Sequence, residues 1–217
     1  MSFIEKIVGA ITNPNNETKK IAQQPMIEEA FLIVGIYAVL VAIAAYIQSY
    51  KITFIIEGLD ILPSSMQSLM AISTIIFALI GPFLIWFIVT GVIHLLSMAA
   101  GGEGKFYPQM MTVAGYSMLP LILAGIISIG LFSVVEPQTI IISPTNPTAM
   151  KDIYNSPHFI ISEIASILLQ AWSTIILFFC IRNAHRLSSN TSAIIASIPL
   201  TFSLISLLLT FRGIGLI

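Results

Sequence analysis

Apolar residues gather along this chain in five long runs, each near or above the roughly 20 residues a helix needs to cross a bilayer core. The runs cover 30–50, 69–99, 110–135, 159–181 and 191–211, with short polar or proline-rich segments between them. The second run belongs to a stretch without formal charge over 61–102. One straight helix over 64–99 would measure about 54 Å, against a hydrocarbon core of about 30 Å. Such a helix tilts, protrudes or bends. Gly81-Pro82 offers a cause for bending, because proline removes a backbone donor and crowds the preceding turn. Pro120 and Pro199 have the same potential in the third and fifth runs.

Outside the runs the pattern changes. Phe3, Ile4, Ile7, Val8 and Ile11 recur at helical spacing behind Ser2, and Glu5 completes a capping box. This predicts a helix over 2–11 that lies on the inner leaflet or packs on the protein's own cytoplasmic ends. Pro14 suits the first turn of a second, polar helix. Lys19 and Lys20 there form a solvated face or meet anionic headgroups. The segment 136–158 carries four prolines and reads as an irregular, mobile outer loop; its Ile-rich run 139–143 is too short to span. The segment 101–107, GGEGKFY, reads as a tight turn between the second and third runs. Its glycines permit positive φ, and Phe106 and Tyr107 are expected to anchor at the interface.

Composition sharpens the assignment. The chain is 57% hydrophobic and 9% charged, where a soluble domain carries about 25% charged residues. Its mean hydropathy is +0.97. The expected class is all-α: a polytopic helical membrane protein with five transmembrane helices and a short N-terminal interfacial helix. Residues 1–28 form a cytoplasmic segment and 29–217 the membrane domain. The net charge of −1 gives no reason to expect nucleic acid. Five crossings put Lys6, Lys19, Lys20, Lys105, Arg182 and Arg186 on one side, and Lys51, Lys151 and Arg212 on the other. The positive-inside rule then predicts a cell-membrane protein with its N-terminus in the cytoplasm and its C-terminus outside.

Several polar groups fall inside the runs. Glu163 is followed by Ser166, Gln170, Ser173 and Thr174 at steps of three and four, which aligns them on one helix face. Thr90 and His94 form a weaker line in the second run, with Ser97 below them. Such a track serves a proton, an ion or a small solute, or it bonds helices together. His94 reads as a lone core histidine, and neither His158 nor His185 has a visible partner. Cys180 reads as a small buried side chain. Trp86 and Trp172 are expected between helices, and Ala38/Ala42 and Ala124/Ser128 permit close helix approach. No metal ligand set, cofactor motif or catalytic constellation is visible, so no enzyme activity is expected.

The order of motifs in the middle third is more specific than composition. Gly81-Pro82-Phe83 is followed by an apolar stretch, the loop GGEGKF, and then Gly115-Tyr116-Ser117 with Pro120 in VAGYSMLPLIL. This order resembles the Yip domain family, the Ypt/Rab-interacting membrane proteins. The resemblance covers 65–130 closely and the remainder by topology. It implies five spans, an inner N-terminus and an outer C-terminus, in a compact prokaryotic-type member. Eukaryotic members carry an acidic residue where this chain has Ala78, and a long N-terminal region where this chain has a short one. The resemblance therefore carries no expectation of small-GTPase binding.

Three functions follow as expectations. The first is a membrane scaffold or adaptor whose partners are lipid, other membrane proteins or a second copy. The second is a small transporter or channel using Glu163, Ser166, Gln170, Ser173 and Thr174, with Thr90 and His94. The third is a lipid-binding or lipid-scrambling protein working between the second and third runs.

Overall fold

The computed structural model describes residues 2–56, 64–142 and 156–213. Residues 143–155, part of the proline-rich segment expected to be an outer loop, lie outside these described residues. Two short helices open the chain, α1 (Phe3–Thr12) and α2 (Pro14–Gln23). The capping box forms as the sequence requires: Glu5 N–H donates to Ser2 Oγ at 3.3 Å, and Ser2 N–H donates to Glu5 Oε2 at 2.8 Å. Helix α1 packs on the protein through Phe3, Ile7, Ala10 and Ile11. Ile4 and Val8 stay exposed on its other side, available to an apolar surround.

Five longer elements follow: α3 (Ile27–Lys51), α4 (Ser64–Ala99), the pair α5 (Met111–Ser117) and α6 (Leu119–Val134), α7 (Pro157–His185) and α8 (Ser189–Gly213). Helices α3, α4, α7 and α8 are each long and apolar enough to cross a membrane, and the bent pair of Phe106–Ser117 and Leu119–Val134 brings the number to five when it is counted as one span. The third run is thus a broken span rather than a continuous helix over 110–135. A wide turn over Phe106–Met110 leads into α5, and α5 and α6 meet at 41°. Pro120 supplies the cause: the Tyr116 carbonyl would accept from the amide of residue 120, which proline lacks. The amide of Met118 bonds the carbonyls of Gly115 and Tyr116 instead. Pro82, by contrast, sits inside a helix that runs unbroken from Ser64 to Ala99, and Pro199 sits inside α8.

Beside the helices, the described residues include a short parallel ribbon of two five-residue strands. Strand β1 (Ile52–Ile56) pairs with β2 (Gln138–Ile142), Ile52 opposite Gln138 and Ile56 opposite Ile142. Both segments are rich in β-branched residues, which suit a pleated surface. The second falls where an irregular loop was expected.

Helix α3 packs against α4 on one side and α6 on the other; α6 leads to α7, and α7 to α8. Helix α5 lies between α3 and α7. Helices α4 and α8, at the ends of this row, meet only lightly. The buried core is centred on α5, with Val113, Tyr116, Ile33, Ile176 and Ile181. Helices α1 and α2 and the segment 100–105 gather at the same end, where Asn183 reaches Asn15 and Thr18, and Glu103 reaches Arg186.

Candidate functional site at membrane level

The Gly-Tyr-Ser motif has a packing role that can be read atom by atom. A Cβ on Gly115 would stand 2.5 Å from the Ala30 Cβ and 3.0 Å from its Cα. Glycine thus lets the backbones of α5 and α3 touch. That approach brings the Tyr116 hydroxyl to 2.6 Å from Glu29 Oε2, to which it donates. Lys6 from α1 grips the same carboxylate at 2.7 and 2.9 Å. Both charged side chains of this pair are nearly buried, and the Phe3 ring meets Tyr116 edge-on. One carboxylate therefore ties α1, α3 and α5 together. Ser117 completes the motif by donating to the Ala114 carbonyl at 2.7 Å. Gly81 has no comparable role, since a Cβ there would meet nothing within 4 Å.

The GGEG segment is a docked loop as well as a turn. Positive φ occurs at Gly101, at 87°. Gly102 and Gly104 serve close approach instead: added Cβ atoms would sit 2.7 Å from the Ser97 carbonyl oxygen and 2.6 Å from that of Ala184. Both glycines face His185, which is fully buried. The Gly104 amide donates to His185 Nδ1 at 3.2 Å, and the Glu103 amide to the His185 carbonyl at 3.1 Å. His185 Nε2 lies 3.3 Å from His94 Nδ1. A backbone N–H can only donate, so Nδ1 of His185 is the acceptor. In its neutral ring Nε2 then carries the proton and donates to His94.

His94 is therefore not a lone histidine, and His185 does have a partner. The two stand 91 positions apart in the chain, a relation no spacing rule reveals. Phe106 packs on His94 and Phe87 rather than anchoring at an interface, because the folded-back loop carries it under α4. Tyr107 remains exposed. Replacing His185 with phenylalanine is expected to speed hydrogen exchange at the Gly104 amide by at least about tenfold; unchanged protection would contradict the docking role of the imidazole.

Above this closed end lies a cavity of about 880 Å³ bounded by α4, α5, α6, α7 and α8, within the size range of small-molecule sites. Glu163, Ser166, Gln170 and Ser173 line it along α7, and Thr90 and Ser117 line it from α4 and α5. Ile85, Ile88, Val89 and Ile93 form a facing apolar wall on α4. Ile85, Ile88 and Phe202 are more than half exposed, so the mouth between α4 and α8 opens sideways, where membrane-spanning helices meet lipid. From Phe159 to Leu177 the α7 lining extends for about 27 Å.

The polar track of the sequence is thus assembled in part. His94 is withdrawn to His185, and Thr174 turns to the Gln170 carbonyl at 2.9 Å and does not line the cavity. None of the four cavity-lining polar side chains of α7 bonds another protein group among the described residues. Ser173, only 5% exposed, is in that position despite its burial. Among the described residues, the buried side-chain oxygens left without a partner lie elsewhere, on Glu17, Ser97 and Ser192; the four α7 groups stay open to the cavity they line. Other polar residues of the spans behave differently. Ser128 and Ser162 face each other at 3.4 Å, Trp86 donates to the Met111 carbonyl, and Cys180 to that of Val113.

Membrane-length apolar helices around a broken, motif-bearing span define a polytopic helical membrane protein. The chain belongs to the Yip1 domain family, whose model matches residues 8–210. It is also similar to an uncharacterized protein of Methanocaldococcus jannaschii, 38% identical over 131 residues, which covers 58% of this chain and 88% of that protein. No solved structure matches.

Proposed function

We propose that this Yip-type membrane protein takes up a single amphiphile from the bilayer and holds it in the cavity between α4, α7 and α8. One observation carries this reading: four polar side chains of α7 without protein partners among the described residues face a sideways-opening cavity whose α4 wall is mainly apolar, with Ser203, Ser206 and Thr210 lining it from α8. A lipid-type molecule matches both surfaces at once, its polar part against α7 and its chain against α4 and out through the mouth. A membrane-organising or adaptor role, with another membrane protein or a second copy as partner, is compatible with lipid uptake and draws its support from family membership. Solute transport draws on the same polar residues, but the position of the cavity at the lipid-facing edge favours an amphiphile. We further propose that the protein resides in the cell membrane with α1 and the GGEG loop in the cytoplasm, as the positive-inside rule suggests for the basic residues at that end.

The test is retention of co-purified lipid by the intact chain, read by native mass spectrometry from mild detergent. Gln170→Trp fills the cavity, whereas Ile175→Trp places the same bulk on an exposed position of α7. Bound lipid is expected on the wild type and on Ile175→Trp, and is expected to fall by at least about tenfold on Gln170→Trp. Equal retention by both variants would exclude the cavity as the binding place.

A further inference from the structure

The cavity has a charge asymmetry that narrows its occupant further. Among the described residues that line it, Glu163 is the one formally charged side chain, and none is a lysine, arginine or histidine. Glu163 has no hydrogen-bond or ion-pair partner among the described residues. It lies in the second turn of α7, six residues from the Pro157 start. Phe159 precedes it by four positions on the same helix face and lines the same end of the cavity. A carboxylate at membrane level is costly without a compensating charge, and the described residues lining this cavity supply none. A cation paired with the carboxylate offsets that cost.

We propose that the amphiphile held in the cavity bears a protonated amine, which pairs with Glu163. This rests on the reading that the cavity holds an amphiphile, and adds the headgroup class. Ser166, Gln170 and Ser173, uncharged and deeper along α7, then bond the neutral oxygen or nitrogen atoms of the molecule's polar linkage. The chain follows the apolar wall of Ile85, Ile88 and Val89 to the lateral mouth. A purely anionic headgroup is disfavoured on the same ground, because it would meet a carboxylate with no cation beside it.

Three single-chain probes separate the two layers of the claim: octadecylamine, octadecanol and octadecanoic acid, which differ only at the headgroup. The full-length protein in neutral maltoside micelles is given the three in equal amounts at neutral pH, and occupancy is read by native mass spectrometry with Gln170→Trp as the baseline. Above that baseline the wild type is expected to carry octadecylamine in about tenfold excess over the alcohol and in larger excess over the acid. Glu163→Gln is expected to bring the amine-to-alcohol ratio to near one. Binding of all three without preference, or an amine preference that survives Glu163→Gln, overturns the headgroup assignment and leaves amphiphile uptake standing. Binding of none of the three above the baseline overturns both.

Discussion

Glu29→Ala is expected to lower the stability of the folded protein by about 3 kcal/mol, the usual cost of stripping one partner from a nearly buried ion pair. The variant leaves the Lys6 ammonium without its carboxylate and the Tyr116 hydroxyl without its acceptor. Thermal unfolding in detergent reads the loss directly. The mechanism makes a second demand. Lys6→Met removes the orphaned charge, so the double variant Glu29→Ala/Lys6→Met is expected to recover a substantial part of the lost stability. Tyr116→Phe alone removes one hydrogen bond and is expected to cost about 1 kcal/mol. Wild-type unfolding behaviour in Glu29→Ala would show that the carboxylate does not tie α1 and α5 to α3.

Gly115→Ala is expected to be nearly as damaging, at about 2–3 kcal/mol, because the added methyl enters the space already held by Ala30. Neither atom is the far end of a flexible side chain, so relief requires one helix to shift. Ala30→Gly in the same chain vacates the space and is expected to restore most of the stability. Recovery by that second substitution distinguishes a steric clash from a loss of backbone flexibility at position 115, which a glycine in α3 would leave unrepaired. No recovery would mean that Gly115 matters for some other reason than the α3–α5 approach.

These two sites differ in how far the sequence exposes them. Gly115-Tyr116-Ser117 stands out as a motif, yet its partners Glu29 and Lys6 look like ordinary charges flanking the membrane until α1 folds back over α5. The elements governed by local chemistry were legible: the capping box of Ser2 and Glu5, Pro14 in a first turn, and the break near Pro120. Apolar length alone marked five membrane-length segments. What stayed hidden depended on contacts distant in sequence. His94 and His185 meet only because α4 and α7 end together beneath the docked loop. The β1–β2 ribbon joins segments on either side of two spans, and each half looks like the fringe of a helix or a loop. In the candidate site, the periodicity of α7 puts Glu163, Ser166, Gln170 and Ser173 on one face, and these four line the cavity. It also included Thr174, whose hydroxyl bonds its own helix backbone. Periodicity identifies a shared face; whether that face meets a neighbour or a cavity depends on how closely α4 approaches α8.

That separation of α4 from α8 is the point on which the functional reading turns. A density map of the full chain in lipid nanodiscs, obtained with a rigid fiducial bound outside the membrane, tests it most directly. The account predicts elongated non-protein density between α4 and α7, in contact with Glu163, Gln170 and Ser173 and emerging past Ile88 and Phe202. A map in which α4 and α8 close over that row, with protein groups bonding its side chains and no volume left between them, would contradict it.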